Sequence, residues 1–246
     1  MAESLSGAAA TAGPAPAPAP MVAAENRFGQ TLFHLEAEPP PPGGVHDALA
    51  VALLRWAGAA RPLHLLAGHA RCGHDLVPLR RVLARGLALE PDPERRELAR
   101  INLRLHGLET VPVLAPPAGG DAVGVARGAL PRVDAVYWGL ADDVVEALET
   151  LAPMLRLERP LVVLPWGPVL AAGWRRGRLA PLLARYRFRV LYRDTDDGAL
   201  PRGRLRSLRR AWRSRLLPRR FGLFPFEPHV AGETPATVAA LPFDTL

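Results

Sequence analysis

The strongest constraint on the fold of this chain is an alternation. From residue 61 to residue 194, short apolar runs take turns with longer stretches whose apolar residues recur every three or four positions. The runs RPLHLLA (61–67), LALE (87–90), TVPVLA (110–115), VDAVYWG (133–139), RPLVVLPW (159–166) and RFRVLYRD (187–194) read as strands buried on both faces. Between them, HDLVPLRRVLARG (74–86), DPERRELARINLRLHG (92–107), DDVVEALETLAPML (142–155) and a basic segment before the sixth run predict helices, and VHDALAVALLRWAG (45–58) predicts one ahead of the first strand. Strands that alternate with helices through short connections pair in parallel, because each crossover must return over the sheet. The expected fold is therefore α/β: a doubly wound, mostly parallel, Rossmann-like sheet.

Local punctuation supports these elements. Asp92 is placed to cap the 92–107 helix, Pro93 to start it and Gly107 to end it, with Leu98, Ile101 and Leu105 on one face. Asp75 is the expected cap of the 74–86 helix, with Pro78 in its first turn, and Asp143 and Glu146 have capping-box spacing ahead of Pro153. Four regions follow: an Ala/Pro-rich disordered tail (1–24), a strand or hairpin segment (25–44), the α/β domain (45–200), and a basic amphipathic helix with an extension that adds an edge strand (201–246).

The chain has no lysine, so all 31 basic residues are arginine, and the high pI is weak evidence for nucleic-acid binding. Cys72 is the single cysteine, which fits a reducing, cytoplasmic setting. No apolar run reaches the roughly 18 residues that cross a bilayer, and MAESLSGAAATAGPAPAPAP lacks the basic start of a secretory signal.

In a doubly wound sheet, ligands bind beyond the carboxyl ends of the strands, where the strand order reverses. The segment AGHARCGHD (67–75) falls there, with Gly68 and Gly73 able to bring backbone close to a ligand. Glu90 ends the next strand about twenty residues on, a position suited to accepting hydrogen bonds from a ribose diol. The plainer account makes Gly68 and Gly73 a tight turn and Glu90 a solvated strand end. A phosphate-binding P-loop is rejected, since His74 and Asp75 stand where Lys and Ser or Thr are needed. Metal binding by His64, His69, Cys72 and His74 is disfavoured by their spacing.

From LALEPDPERRELARINLRLHGLETVPVLAPPAGG (87–120), the chain resembles the FkbM-like branch of class I S-adenosylmethionine-dependent methyltransferases. Glu90-Pro91-Asp92-Pro93 match that branch's EPDP strand end, Asn102 its helical Asn, and His106-Gly107-Leu108 its NGL turn. The resemblance implies S-adenosylmethionine as cofactor, with Gly68, Gly73, Glu90 and Asp92 around it, and O-methylation of a sugar or small-metabolite hydroxyl. Four departures stand out. Leu66 replaces the acidic residue that opens the family's glycine loop, and Gly68 and Gly73 enclose four residues rather than three. Gly139, Ala141 and Asp142 fall on the family's Asp, Glu and Gly, and Pro165 replaces a glutamate at the fifth strand end. The alternative implied by these losses is a catalytically inactive binding or scaffold module.

Methyl transfer chiefly requires alignment of two reactants, and an oxygen nucleophile benefits from a base. Asp142, Asp143, His69 and His74 lie near predicted strand ends and are the candidates. Downstream, PRGRLRSLRRAWRSRLLPRR (201–220) predicts an amphipathic helix. Its apolar stripe packs on the sheet, or else Arg202, Arg206, Arg209 and Arg213 meet an anionic surface; no specific nucleic-acid partner is expected.

Overall fold

The computed structural model describes residues 20–36 except 27 and 28, residues 50–182 except 52, 53, 56, 119, 140–142, 166 and 167, and strands at 186–192 and 235–242. The expected basic helix at 201–220, with Arg202, Arg206, Arg209 and Arg213, and the tail up to residue 19 lie outside the described residues.

Two sheets are present. A hairpin pairs β1 (Met21–Glu25) antiparallel with β2 (Thr31–Leu35), and its first strand starts inside the segment read from sequence as tail. The main sheet contains β3 (Leu63–Gly68), β4 (Leu83–Leu89), β5 (Val113–Leu114), β6 (Ala135–Trp138), β7 (Leu161–Pro165), β8 (Tyr186–Tyr192) and β9 (Pro235–Pro242). Their spatial order is β5-β4-β3-β6-β7-β9-β8. The first five run parallel, and β9 runs antiparallel to both neighbours. The chain moves outward from β3 through β4 to β5, then returns to the other side of β3 to lay down β6, so the order reverses between β3 and β6. The strand expected at the sheet edge near the C-terminus is instead wedged inside it, as β9.

Alternate residues of each central strand point to opposite faces, and the core divides accordingly. Leu65, Ala67, Tyr137 and Val163 join one cluster, with Leu32, Leu54, Ala99 and Leu103. Leu66, Val136, Trp138, Val162 and Leu164 join the other, with Ala126, Leu148 and Met154. Burying each such Leu contributes about 1.5–3 kcal/mol.

Helix α1 (Pro93–Leu105) follows β4 as its sequence predicts: Asp92 accepts from the Arg95 amide at 2.8 Å, and Pro occupies the first turn. The helix expected at 74–86 does not form. Val77–Leu79 make one 3-10 turn, and β4 starts at Leu83 because it pairs with β3 from Leu63 onward. An unanticipated helix, α2 (Ala122–Ala129), is capped by Asp121, whose carboxylate accepts from the Gly124 amide at 2.8 Å. The predicted 142–155 helix is two, α3 (Val144–Thr150) and α4 (Ala152–Leu157), the second with Pro153 in its first turn. Helices α5 (Pro168–Arg175) and α6 (Leu179–Leu182) fill the connection to β8.

Candidate functional site

The carboxyl ends of β3, β4 and β6 meet where the strand order reverses. Glu90 lies one residue beyond β4, and its amide donates to the Leu114 carbonyl at 2.9 Å, which holds it in the ladder. Its side chain is fully buried rather than solvated: one oxygen accepts from the Arg71 amide at 2.6 Å and the other from the Asp92 amide at 3.1 Å. A carboxylate is thus bonded directly into the loop that follows β3.

That loop is strained. His69 (φ 50°), Arg71 (φ 49°) and Gly73 (φ 80°) all occupy the left-handed region, and only the last is a glycine. Each of the other two costs about 1–2 kcal/mol. Gly68 has a different reason to be glycine: any Cβ there would overlap the indole of Trp138, which the parallel register sets directly opposite.

His69 and Asp143 face one another at the mouth of this region, with His69 Nε2 2.9 Å from Asp143 Oδ1. The two atoms are close but not aligned as a hydrogen bond, and the ring nitrogen has no other partner. Trp138 packs edge-on against the His69 ring, and its Nε1–H donates to Asp143 at 3.4 Å. Asp143 makes no side-chain cap to α3, contrary to the capping box expected from sequence; its carboxylate turns to His69 and Trp138 instead. Asp142 lies outside the described residues.

Behind the loop, Asn102 is fully buried in α1. It accepts from the Phe33 amide at 2.8 Å and donates to the Phe33 carbonyl at 2.8 Å and the Cys72 carbonyl at 2.7 Å. One amide side chain therefore ties the hairpin and the glycine loop to the same helix. Asp75, expected as a helix cap, accepts from the Tyr137 hydroxyl at 2.7 Å. His74 is pushed down to about 4, first by burial and then by the nearby Arg71 and His34, and neither of its ring nitrogens has a hydrogen-bond partner.

The structure thus brings Gly68, His69, Gly73, Glu90 and Asp143 to one end of the sheet. Asp92 is adjacent but spends an oxygen on the α1 cap. Trp138 and Asn102 complete the region; the sequence reading gave Trp138 no role and matched Asn102 to a motif without assigning it one. The signal for Trp138 was a bulky aromatic ending a strand beside a strand-ending glycine.

No family model matches this sequence, and a comparison of the sequence with curated proteins finds no match. Solved structures do resemble it. Cofactor-bound Rv0187 from MTB has a TM-score of 0.53 at 18% identity, covering 82% of this chain and 82% of that one. An O-methyltransferase from Bacillus cereus, in complex with SAH, has a TM-score of 0.52 at 13% identity, covering 84% and 83%. The O-methyltransferase TomG from Streptomyces achromogenes, involved in tomaymycin synthesis and in complex with SAM, has a TM-score of 0.52 at 16% identity, covering 79% of each chain. The fold is that of the Rossmann-like methyltransferases. In this methyltransferase fold the switch point lies between β3 and β6, and Glu90, the glycine loop and the His69–Asp143 pair surround it.

Proposed function

We propose that this chain is an S-adenosylmethionine-dependent methyltransferase of the FkbM-like branch, acting on a hydroxyl of a sugar or other small metabolite. One observation carries the reading: Glu90 stands at the end of the second parallel strand, bonded to the loop after the first. The branch assignment rests on the EPDP, Asn102 and HGL matches, and the acceptor class on that branch and on the O-methyltransferases that share the fold.

The residues fit an adenosyl group. An ionised carboxylate offers about four lone-pair sites, and the Arg71 and Asp92 amides take two, so Glu90 keeps acceptor capacity for a ribose diol. Gly73, at φ 80°, lets the same loop turn where its Cα faces Ala99 and Leu103 of α1. The 69–73 loop covers Glu90, and ligand entry requires it to lift; the left-handed His69 and Arg71 lower the cost of that motion by releasing strain. Asp92 contributes as the α1 cap beside the carboxylate.

When bound, the sulfonium supplies an electrophilic methyl group. The chain supplies alignment and a proton acceptor. The Asp143 carboxylate beside His69 Nε2 favours the tautomer with its proton there, which leaves Nδ1 as the basic nitrogen for an acceptor hydroxyl. Asp143 then stabilises the imidazolium, and Trp138 fixes the ring edge-on.

A second reading, a non-catalytic binding module, is favoured by the Trp138 indole packed over Gly68 and by glycine at 139, where the family has a carboxylate. Calorimetric titration with S-adenosylmethionine and S-adenosylhomocysteine separates the two. Wild type is expected to bind, and Glu90→Gln to weaken binding about tenfold or more, the worth of one charge-assisted hydrogen bond. Absence of binding at millimolar cofactor overturns both readings. Binding without release of S-adenosylhomocysteine across a panel of hydroxyl acceptors selects the module.

A further inference from the structure

The end of the sheet opposite Glu90 holds a second concave site. A cavity of about 590 Å³ opens between the hairpin turn, the 3-10 turn after the glycine loop, and the C-terminal end of α1. That volume falls in the range of small-molecule pockets. Its lining includes Arg55, Arg80, Arg81 and His106, with Thr31 and Gln30 from the hairpin, and among the described residues it contains no carboxylate.

Arg80 and Arg81 sit just ahead of β4, and His106 follows the last turn of α1. Because α1 starts beside Glu90 and spans 13 residues, its length alone separates the two regions by about 20 Å. The cavity is therefore not part of the transfer site.

Elsewhere in the structure, arginines with carboxylate neighbours use them. Arg61 and Arg132 pair with Asp134, and Arg178 pairs with Glu146 and Glu149. Among the described residues Arg80 and Arg81 have no ion pair, although both are exposed on the cavity wall. His106 donates from Nε2 to the Thr31 carbonyl at 2.8 Å, which fixes the ring at the rim and ties the hairpin to the helix there. Arg80 and Arg81, neighbours on one concavity whose described lining holds no carboxylate, match a group that accepts several forked hydrogen bonds at once, which is what a phosphate offers. A single half-open concavity, rather than an extended basic stripe, fits a small molecule better than a nucleic-acid strand.

We infer that this cavity is a second ligand site, which binds a small phosphate monoester through Arg80 and Arg81 with Arg55 and His106 beside them. This inference is independent of the proposed transfer reaction. The test uses the full chain with ribose 5-phosphate, ribose and inorganic sulfate as probes, followed by calorimetry at constant ionic strength. Ribose 5-phosphate is expected to bind and ribose not to bind. Arg80→Ala/Arg81→Ala is expected to weaken ribose 5-phosphate about a hundredfold, about tenfold for each forked contact, while the thermal midpoint without ligand stays near that of wild type. Arg81→Lys, which keeps the charge but loses the fork, is expected to weaken binding less than Arg81→Ala. Undiminished binding by the double variant, equal binding of sulfate and ribose 5-phosphate, or no binding at 10 mM probe would each overturn the inference. Stronger retention of single-stranded RNA than of ribose 5-phosphate, abolished by the same double variant, would reassign the site to nucleic acid and overturn it as well.

Discussion

Replacing Asn102 with alanine tests how the site is supported. The side chain makes three hydrogen bonds, one to the Cys72 carbonyl in a fully buried setting and two to the Phe33 backbone in a partly buried one. Leaving a buried acceptor unpaired costs about 2 kcal/mol, and each partly buried Phe33 group about 1 kcal/mol, for roughly 4 kcal/mol in all. That is a large share of the 5–15 kcal/mol typical of a whole domain. Guanidinium unfolding of wild type and Asn102→Ala, monitored by tryptophan fluorescence, measures the difference. Hydrogen exchange at the Phe33 amide should quicken in the same variant, because its acceptor is gone. Asn102→Asp should be at least as damaging as alanine, since it places a carboxylate against two carbonyl oxygens. A stability loss below about 1 kcal/mol for Asn102→Ala, with Phe33 exchange unchanged, would refute the idea that this residue couples hairpin, loop and helix.

Two further outcomes can be measured directly. His74 is harder to protonate in the folded chain than in the unfolded one, its value falling from 6.5 to about 4; stability should therefore fall as pH drops through that window, by about 3 kcal/mol at most. The fall should be smaller in His74→Gln, and parallel pH curves for the two proteins would contradict the assignment. Gly68→Ala drives a methyl group into the Trp138 indole and is expected to cost about 1–3 kcal/mol, with Trp138→Leu recovering part of it; a neutral Gly68→Ala in thermal denaturation would mean the two do not meet.

Much of the architecture could be read from residue pattern. The alternation of apolar runs and helical stretches specified the parallel sheet, and Asp92 with Pro93 marked the start of α1. Segment 74–86 misled because Leu76, Val77 and Leu79 are all buried, a spacing that a helix or a turn entering a strand satisfies equally. Pairing with β3, a long-range event, decided the matter. Gly86 is then tolerated inside β4 because Val111 packs close to it, where a Cβ would sit 3.1 Å from Val111 Cγ1. Helix α2 escaped notice because AVGVARGA is short and carries two glycines, although its Asp121 cap was a usable signal. At the site, Glu90 and the glycine loop were legible as positions, but the burial of Glu90 was not, since it depends on left-handed His69 and Arg71 folding the loop over it. Asp143 was read both as a cap and as a candidate base because the same residue types serve helix starts and proton transfer; in the structure its carboxylate turns to His69 and Trp138 and makes no cap to α3.

The placement of β9 between β7 and β8 sets an order on assembly during synthesis. Among the described residues, β8 bonds only to β9, and β9 is made more than forty residues later. On the ribosome, residues 186–192 must wait without a ladder partner until 235–242 emerge and slot in beside β7. During that interval both β7 and β8 present open backbone edges, the state in which a nascent chain is most prone to mispair with another copy.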